Sequence, residues 1–457
     1  MFRIPARHGA CGLGGPKSRS CGPPRRFFLP WGETRCVSRS PVGDAKPNTP
    51  PLPLSGRAAT PREPAMPTKT ASKRSSGTKQ SAQRRVTEVV APENERPMRK
   101  TIDLGDIEDL QILNEEGEVD EALDPNLSED ELKKIHRAMV MTRKFDIRML
   151  AMQRQGEMGT FAPGLGQEAT QIGQVYPLNA KDWFSPSYRS FGAQLWRGWT
   201  LDGLMLLWAG YYEGFEIPEG INDTPFSIVI GSHVLPATGL GMAAKIRGDK
   251  SVVVTNFGDG ASSQGAVAEA FNFASVYKAP VIFVLENNGW AISIPAEKQA
   301  AVREFARRGA GFGIPSIRVD GNDILGMIVA SQQAADHGRA GKGPYLVEAV
   351  TYRMSVHTTA DDPKVYRKED EVKAWEAKCP IRRFEIYLRN KGILDDADFE
   401  RIGKECEAEI LEAREKFRAR AKAKPREVFD YLYTEMPPEL KEQQEEYFRK
   451  LDRKGVE

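Results

Sequence analysis

The sequence has no run of 18 or more apolar residues, which argues against a membrane-spanning helix. Cysteine is also scarce: the 457 residues include five, and three of them, Cys11, Cys21 and Cys36, lie near the N-terminus. An odd number with this distribution excludes a disulfide-stabilised scaffold. The two remaining cysteines, Cys379 and Cys406, indicate a reducing compartment.

Acidic residues are nearly absent from the first 90 positions, which hold 17 of the 65 Lys and Arg but 4 of the 63 Asp and Glu. The same stretch has 13 of the 31 prolines. We therefore expect residues 1–95 to be a disordered basic extension, because such a composition cannot bury enough apolar surface to fold. The remaining chain is net acidic and has no basic–aromatic cluster, which argues against a nucleic-acid-binding protein.

Three interpretations of this extension remain open. It has the Arg-rich, acid-poor composition of a transit peptide, but its prolines and glycines oppose the amphipathic helix that such a peptide needs. It could instead be a basic arm that binds a partner or a polyanion. The third interpretation is an unselected extension from a misassigned start.

The middle of the chain alternates short β-branched or apolar runs with helical stretches. The runs are Phe226–Ile230, Ser251–Phe257, Val281–Glu286, Ser316–Val319 and Tyr345–Thr351. The helical stretches between them include Ala237–Ile246, Ser263–Tyr277 and Ile324–His337. Short, non-alternating strands separated by helices predict a doubly wound parallel α/β sheet that is covered on both faces.

Helical patterns flank this α/β region. Ser128 and Glu131 form a capping box, which predicts a long helix that runs to about Gln155. Near the C-terminus a narrow apolar stripe repeats every three or four residues: Phe399, Ile402, Cys406, Ile410, Ala413 and Phe417. The sequence thus divides into the extension, an α/β core with its N-terminal helix over residues 96–365, and a C-terminal helical region over residues 366–457.

The strongest chemical signal lies at the ends of two predicted strands. Gly258-Asp259-Gly260 ends one strand, and Asn287-Asn288 ends the next, with 26 residues between the two motifs. Ligands in open α/β sheets bind outside the carboxyl ends of the strands. A carboxylate, an amide oxygen and a backbone carbonyl are ligands that suit Mg²⁺. The glycines and the following helix start would let a phosphate approach the backbone, so the pair predicts a magnesium–phosphate site.

Either motif alone would more simply be an ordinary turn at the end of a strand. The combination at this spacing and in this strand context favours the functional interpretation. A non-catalytic magnesium–nucleotide binder on the same topology would need a P-loop, and the sequence has none.

The two motifs resemble the thiamine diphosphate fingerprint, and the surrounding residues narrow the resemblance. Residues 258–265, 287–293 and 357–363 are similar to the alpha subunits of two-chain 2-oxo acid dehydrogenases, as are Leu110–Val119, Phe161–Glu168 and Glu439–Tyr447. The resemblance covers residues 100–457 and is strongest to bacterial pyruvate dehydrogenase alpha subunits. It implies the diphosphate-binding half of the thiamine-diphosphate-binding fold.

The resemblance also implies a role for each matching residue. Asp259 and Asn288 would bind Mg²⁺ by their side chains, and Trp290, often Tyr or Phe in the family, by its main-chain oxygen. Contacts to thiamine diphosphate would come from Tyr188, Arg189, Ile228, Ile230, Gly260, Ala261 and His357.

His357 stands apart among the five histidines of the chain. It lies in a polar loop just after a predicted strand, again at the carboxyl end of the sheet. The family's matching histidine contacts the diphosphate and is thought to help in acyl transfer to a lipoyl arm.

The resemblance further implies oxidative decarboxylation of pyruvate with acetyl transfer to a lipoyl-bearing acyltransferase core, leading to acetyl-CoA. Only one α/β unit is evident, so the half of the site with the catalytic glutamate would belong to a beta subunit in an α₂β₂ assembly. A branched-chain 2-oxo acid dehydrogenase or acetoin dehydrogenase alpha subunit is the alternative. A cytoplasmic location of bacterial type is expected, with the mitochondrial matrix as the alternative.

Overall fold

A parallel sheet organises the computed structural model, which describes residues 105–422 and 424–456; the predicted extension over residues 1–95 lies outside this part. The strands are β1 Glu108–Leu110, β2 Trp183–Ser185, β3 Asn222–Asp223, β4 Val253–Gly258, β5 Val281–Asn287, β6 Trp290–Ala291, β7 Ile294–Pro295, β8 Ser316–Asp320 and β9 Tyr345–Val350. Seven of them form one sheet in the order β1-β8-β9-β5-β4-β2-β3, and all neighbours are parallel. The predicted doubly wound α/β class is confirmed.

The central strands are mostly apolar and are buried along almost their whole length, because both faces of the sheet are covered. Successive side chains of a strand point to opposite faces. Val254, Ile282 and Val284 accordingly belong to one buried cluster, whereas Val253 and Phe283 belong to a second cluster. This double burial explains why the strands show no polar alternation.

Helices cover both faces of the sheet. They are α1 Glu129–Arg154, α2 Glu168–Gly173, α3 Phe191–Trp196, α4 Leu201–Ala209, α5 Val234–Arg247, α6 Gly265–Tyr277, α7 Ala296–Gln299, α8 Arg307–Gly311, α9 Ile324–Arg339, α10 Glu369–Glu376, α11 Pro380–Asn390, α12 Asp396–Arg420 and α13 Pro438–Arg453. The capping box of Ser128 and Glu131 is present at the start of α1. The predicted apolar stripe from Ile402 to Phe417 is buried along α12 and joins the cluster that includes α1. Within the described part, no helix has the length and apolar character to cross a membrane.

One predicted strand, Phe226–Ile230, is wrong. In this segment Ser227 forms a single isolated bridge with Ser187, and the following residues turn. The hydroxyl of Ser232 donates to the carbonyl of Val229 at 2.9 Å, and Gly231 adopts φ +75°, so local bonds close a turn where a strand was expected. The short apolar run mimicked a buried strand, but Val229 is 69% exposed.

Candidate active site

A cavity of about 200 Å³ lies at the carboxyl ends of the central strands. Residues after β2, β4, β5 and β9 contribute to its lining, as expected for an open α/β sheet. The lining residues that the sequence singled out are Tyr188, Arg189, Ile230, Asp259, Gly260, Ala261, Asn288, Trp290 and His357. Ile228 is the exception: its side chain is 65% exposed and does not line the cavity.

Asp259 and Asn288 face each other across two adjacent strands, β4 and β5, which pair in parallel. Both side chains are buried, and burial raises the pKa of the Asp259 carboxyl to about 6. The Asn288 amide donates to Oε1 of Gln167 at 3.2 Å, and its own oxygen accepts the N–H of Trp290 at 3.2 Å. The carboxylate of Asp259 accepts a hydrogen bond from Nε2 of Gln299. A buried carboxylate beside an amide oxygen is a donor set that suits a hard divalent cation.

The donor set differs from a transition-metal site. Within residues 105–422 and 424–456, no group of three or more His, Cys, Asp and Glu side chains converges on one point. Magnesium instead takes one or two protein oxygens and completes its octahedron with phosphate and water oxygens. The side chains present therefore fit a Mg²⁺ that arrives with a phosphate ligand.

The turn after β4 lets other groups approach its backbone closely. A Cβ on Gly260 would lie 2.7 Å from Cβ of Ala291, so only glycine fits between the turn and the loop that follows β5. A 3₁₀ turn, Ala261–Ser263, follows directly. The first residues of a helical turn have N–H groups without helical partners, and such groups bind phosphate.

The loop after β5 has a strained backbone next to the cavity. Ile292, which lines the cavity, adopts φ +56°, a left-handed conformation that is unfavourable for a β-branched residue. Its carbonyl accepts a hydrogen bond from the Arg353 guanidinium at 3.0 Å. The indole N–H of Trp290 donates to Glu371 at 2.9 Å. These contacts hold a conformation that costs about 1–3 kcal/mol, as is common at functional sites.

Two buried arginines belong to the site: Arg189 lines the cavity, and Arg353 contacts the lining residues Ile292 and His357. Arg189 is 4% exposed and Arg353 is fully buried. Arg189 donates to the carbonyl oxygens of Pro163 and His357, and its guanidinium lies 5.3 Å from the centre of the Tyr188 ring. The partners of Arg353 are likewise neutral, and burial together with Arg189 lowers its pKa to about 10. Buried cations without anionic partners are costly, so this pair is suited to an anionic ligand.

His357 is held as a neutral imidazole. Nη1 of Arg353 lies 2.8 Å from its Nδ1, and the backbone N–H of His357 donates to the Asp361 carboxylate at 2.8 Å. Burial, Arg189 and Arg353 lower the pKa of His357 to about 3. Because a guanidinium can only donate, Nδ1 is the acceptor and the ring proton is on Nε2. His357 thus offers an N–H donor at neutral pH.

The segment with Tyr188 and Arg189 is positioned by a buried polar network, which the sequence did not predict. The Asn256 amide donates to Oε1 of Glu286 at 2.7 Å, and its oxygen accepts the backbone N–H of Ser187 at 2.9 Å. Burial raises the pKa of Glu286, which also lines the cavity. The signal available in the sequence was an asparagine inside an otherwise apolar strand. Arg353 gave no comparable signal, because its role depends on contacts with distant loops.

The chain is similar to proteins of a known family. A family model described as the dehydrogenase E1 component matches residues 136–426. The pyruvate dehydrogenase E1 component subunit alpha of Acholeplasma laidlawii is 44% identical over 336 residues, which are 73% of this chain and 97% of that protein. The subunits of the same name from Bacillus cereus and Bacillus subtilis are 41% and 39% identical, over 75% of this chain and 93% and 92% of theirs.

Proposed function

The chain belongs to the dehydrogenase E1 component family, and on that premise we propose that it is the alpha subunit of a pyruvate dehydrogenase. Relatives with that name match most of the chain at about 40% identity. Membership of the family implies dependence on thiamine diphosphate, and the name of these relatives implies a beta subunit. The reaction is then oxidative decarboxylation of pyruvate, with transfer of the acetyl group to a lipoyl arm and onward to acetyl-CoA.

One observation carries the proposal. Asp259, Asn288 and Arg189 line the same cavity, and a second buried arginine, Arg353, contacts the lining residues Ile292 and His357; neither arginine has a carboxylate partner among the described residues. Asp259 and Asn288 are suited to a cation, and Arg189 and Arg353 are suited to an anion. A magnesium diphosphate carries both a positive and a negative charge. It therefore supplies the counter-charges of groups that would otherwise be costly to bury.

Each residue then has a role. Asp259, Asn288 and the carbonyl of Trp290 would hold Mg²⁺, while Tyr188, Arg189 and the backbone N–H groups of Gly260 and Ala261 would hold the diphosphate. Backbone groups of Ile228 and Ile230 would contact the aminopyrimidine. Although the predicted strand there is wrong, the turn that replaces it brings Ile230 to the cavity. The side chain of Ile228 points elsewhere, which does not exclude its backbone.

When bound, thiamine diphosphate would supply the carbanion and the electron sink that decarboxylation of a 2-oxo acid requires. The chain itself binds and orients the cofactor and places the neutral His357 beside it. The Nε2–H of His357 would donate a hydrogen bond to the diphosphate or to the acyl oxygen during transfer. The general acid–base group for the aminopyrimidine would come from the beta subunit, in an α₂β₂ assembly that docks on a lipoyl-bearing acyltransferase core.

The experiment is a substrate panel with the full-length chain purified together with its beta subunit. Reduction of an artificial electron acceptor is followed with pyruvate, 2-oxobutyrate and branched-chain 2-oxo acids, with and without thiamine diphosphate and Mg²⁺. We expect pyruvate to give the highest kcat/KM and both cofactors to be required. A preference for branched-chain substrates would assign the chain to the other branch of the family, and turnover after removal of thiamine diphosphate would overturn the proposal.

A further inference from the structure

The loop that leaves the site after Asn288 returns to it eleven residues later. The segment forms the β6–β7 hairpin, in which Trp290 pairs with Pro295, and then the short helix α7. The N–H of Ala296 donates to the carbonyl of Gly289 at 2.9 Å, which ties the start of α7 to the start of the loop. The last residue of α7, Gln299, then donates from Nε2 to Oδ2 of Asp259.

This contact determines what Asp259 can offer to a cation. Oδ2 already accepts the hydrogen bond of an amide, which favours coordination of a cation through Oδ1, while the backbone N–H groups of Asp259 and Asn288 also interact with this carboxylate. Magnesium requires a near-octahedral set of six oxygens at short distance, a geometry that favours carboxylates bound through one oxygen. Calcium is larger and accepts carboxylates that bind through both oxygens.

The side-chain amide of Gln299 is also chemically suited to a place beside a cation site. An amide is neutral, so Gln299 orients the carboxylate without reducing its charge or repelling a metal ion. A lysine or arginine at the same place would form an ion pair with the carboxylate, which would offset its charge and repel a metal ion.

Resting on the magnesium site of the proposed function, we propose that Gln299 is a positioning residue that keeps Asp259 in single-oxygen coordination and thereby makes the site selective for Mg²⁺ over Ca²⁺. Gln299 does not itself touch the metal. Loss of its amide would free Oδ2, so that the carboxylate could bind through both oxygens. The consequence is a change in metal preference in addition to weaker binding.

The test measures cofactor affinity with each metal. The full-length chain in complex with its beta subunit is titrated with thiamine diphosphate by calorimetry, in Mg²⁺ alone and in Ca²⁺ alone. Gln299→Met removes the donor and keeps the length and volume of the side chain. Glu297→Met, an exposed position on the same short helix, is the matched control.

We expect Gln299→Met to lower the Mg²⁺-supported affinity about 10- to 100-fold, the usual effect of removing a group that orients a metal ligand. The Ca²⁺-supported affinity should fall much less, so the ratio of the two affinities should fall about tenfold. The control should leave both unchanged. Gln299→Ala supplies the same test if the methionine variant does not assemble with the beta subunit.

Equal losses with both metals would overturn the inference, since they would indicate a merely structural role for Gln299. Unchanged affinities would overturn it as well. Failure of the proposed function has a different signature: the wild-type complex would then bind thiamine diphosphate without any dependence on a divalent metal.

Discussion

Replacing Asp259 by asparagine should stabilise the metal-free protein while it destroys the cofactor site. Asparagine has nearly the same shape as aspartate and removes only the charge. Burial raises the pKa of Asp259 from 3.8 to about 6, with Asp259 only 1% exposed. Since one pKa unit corresponds to about 1.36 kcal/mol, holding this carboxylate ionised at pH 7 costs the empty site about 3 kcal/mol.

The sign of the pH dependence follows from the same shift. A carboxyl whose folded pKa lies above its unfolded pKa is protonated more readily in the folded state. The cost of ionisation is therefore fully present above about pH 6 and fades toward pH 4, where the carboxyl becomes protonated in both states. The stability advantage of Asp259→Asn over wild type should accordingly shrink as the pH falls from 7 to 4.

The functional effect has the opposite direction. Loss of a charged partner from a buried site costs at least about 2–3 kcal/mol, so the Mg²⁺-supported affinity for thiamine diphosphate should fall by about 30- to 150-fold. Thermal unfolding in EDTA at matched protein concentration measures the first effect, and calorimetric titration measures the second. The exposed Asp249→Asn is the control and should change neither.

Two results would refute this reasoning. Wild-type cofactor affinity in Asp259→Asn would remove Asp259 from the metal site. A large loss of stability in EDTA would show that the carboxylate is already well compensated in the empty site, and that the cavity does not need a cation there.

Three further predictions concern other parts of the chain. The full-length chain without its beta subunit should not decarboxylate pyruvate, and adding the beta subunit should restore turnover; robust activity of the single chain would contradict the split site. Removal of residues 1–95, which lie outside the family resemblance and carry none of the site motifs, should leave cofactor affinity and partial-reaction turnover unchanged. If that segment is a docking arm, its removal should lower only the overall formation of acetyl-CoA, in a salt-sensitive way; loss of the partial reaction would place it in the active site. In the cofactor-free protein, NMR of His357 should show a neutral ring with the proton on Nε2 from pH 5 to 8, because its pKa is lowered to about 3; a titration near pH 6.5 would contradict the contact with Arg353.

The central strands were predictable because their apolar runs are long and consist of residues that are neighbours in the sequence. β4, β5 and β9 are buried on both faces, so their continuous apolar runs stood out from the helices between them. The short strands β1, β2 and β3 have only two or three residues each, too few for any period to appear. They exist because neighbouring strands offer free hydrogen-bonding groups, which is a tertiary effect.

In the candidate site too, residues placed by local sequence patterns were predictable, whereas residues placed by tertiary contacts were not. Asp259 and Asn288 were predictable because the end of a parallel strand fixes the place of the next residue, whatever the rest of the chain does. The strand Phe226–Ile230 was wrongly predicted because its consecutive apolar residues look alike in a strand and in an exposed turn. Arg353 was missed because its importance arises from the carbonyl of Ile292, the phenol of Tyr366 and the ring of His357, three groups that the sequence does not bring together.

Asp259 and Arg353 carry opposite charges in the same site but form no ion pair with each other. Arg353 contributes favourably to the ionisation of Asp259, yet its guanidinium is bonded to Ile292, Tyr366 and His357, and Asp259 is bonded to the neutral Gln299. A direct ion pair would remove the cost of both buried charges and would also close the site. Burial raises the pKa of Asp259, and burial together with Arg189 lowers the pKa of Arg353, so each is a buried charge without a direct ion pair among the described residues. A cation bound to a diphosphate supplies both counter-charges at once, which explains why metal and diphosphate should bind together and why neither should bind tightly without the other.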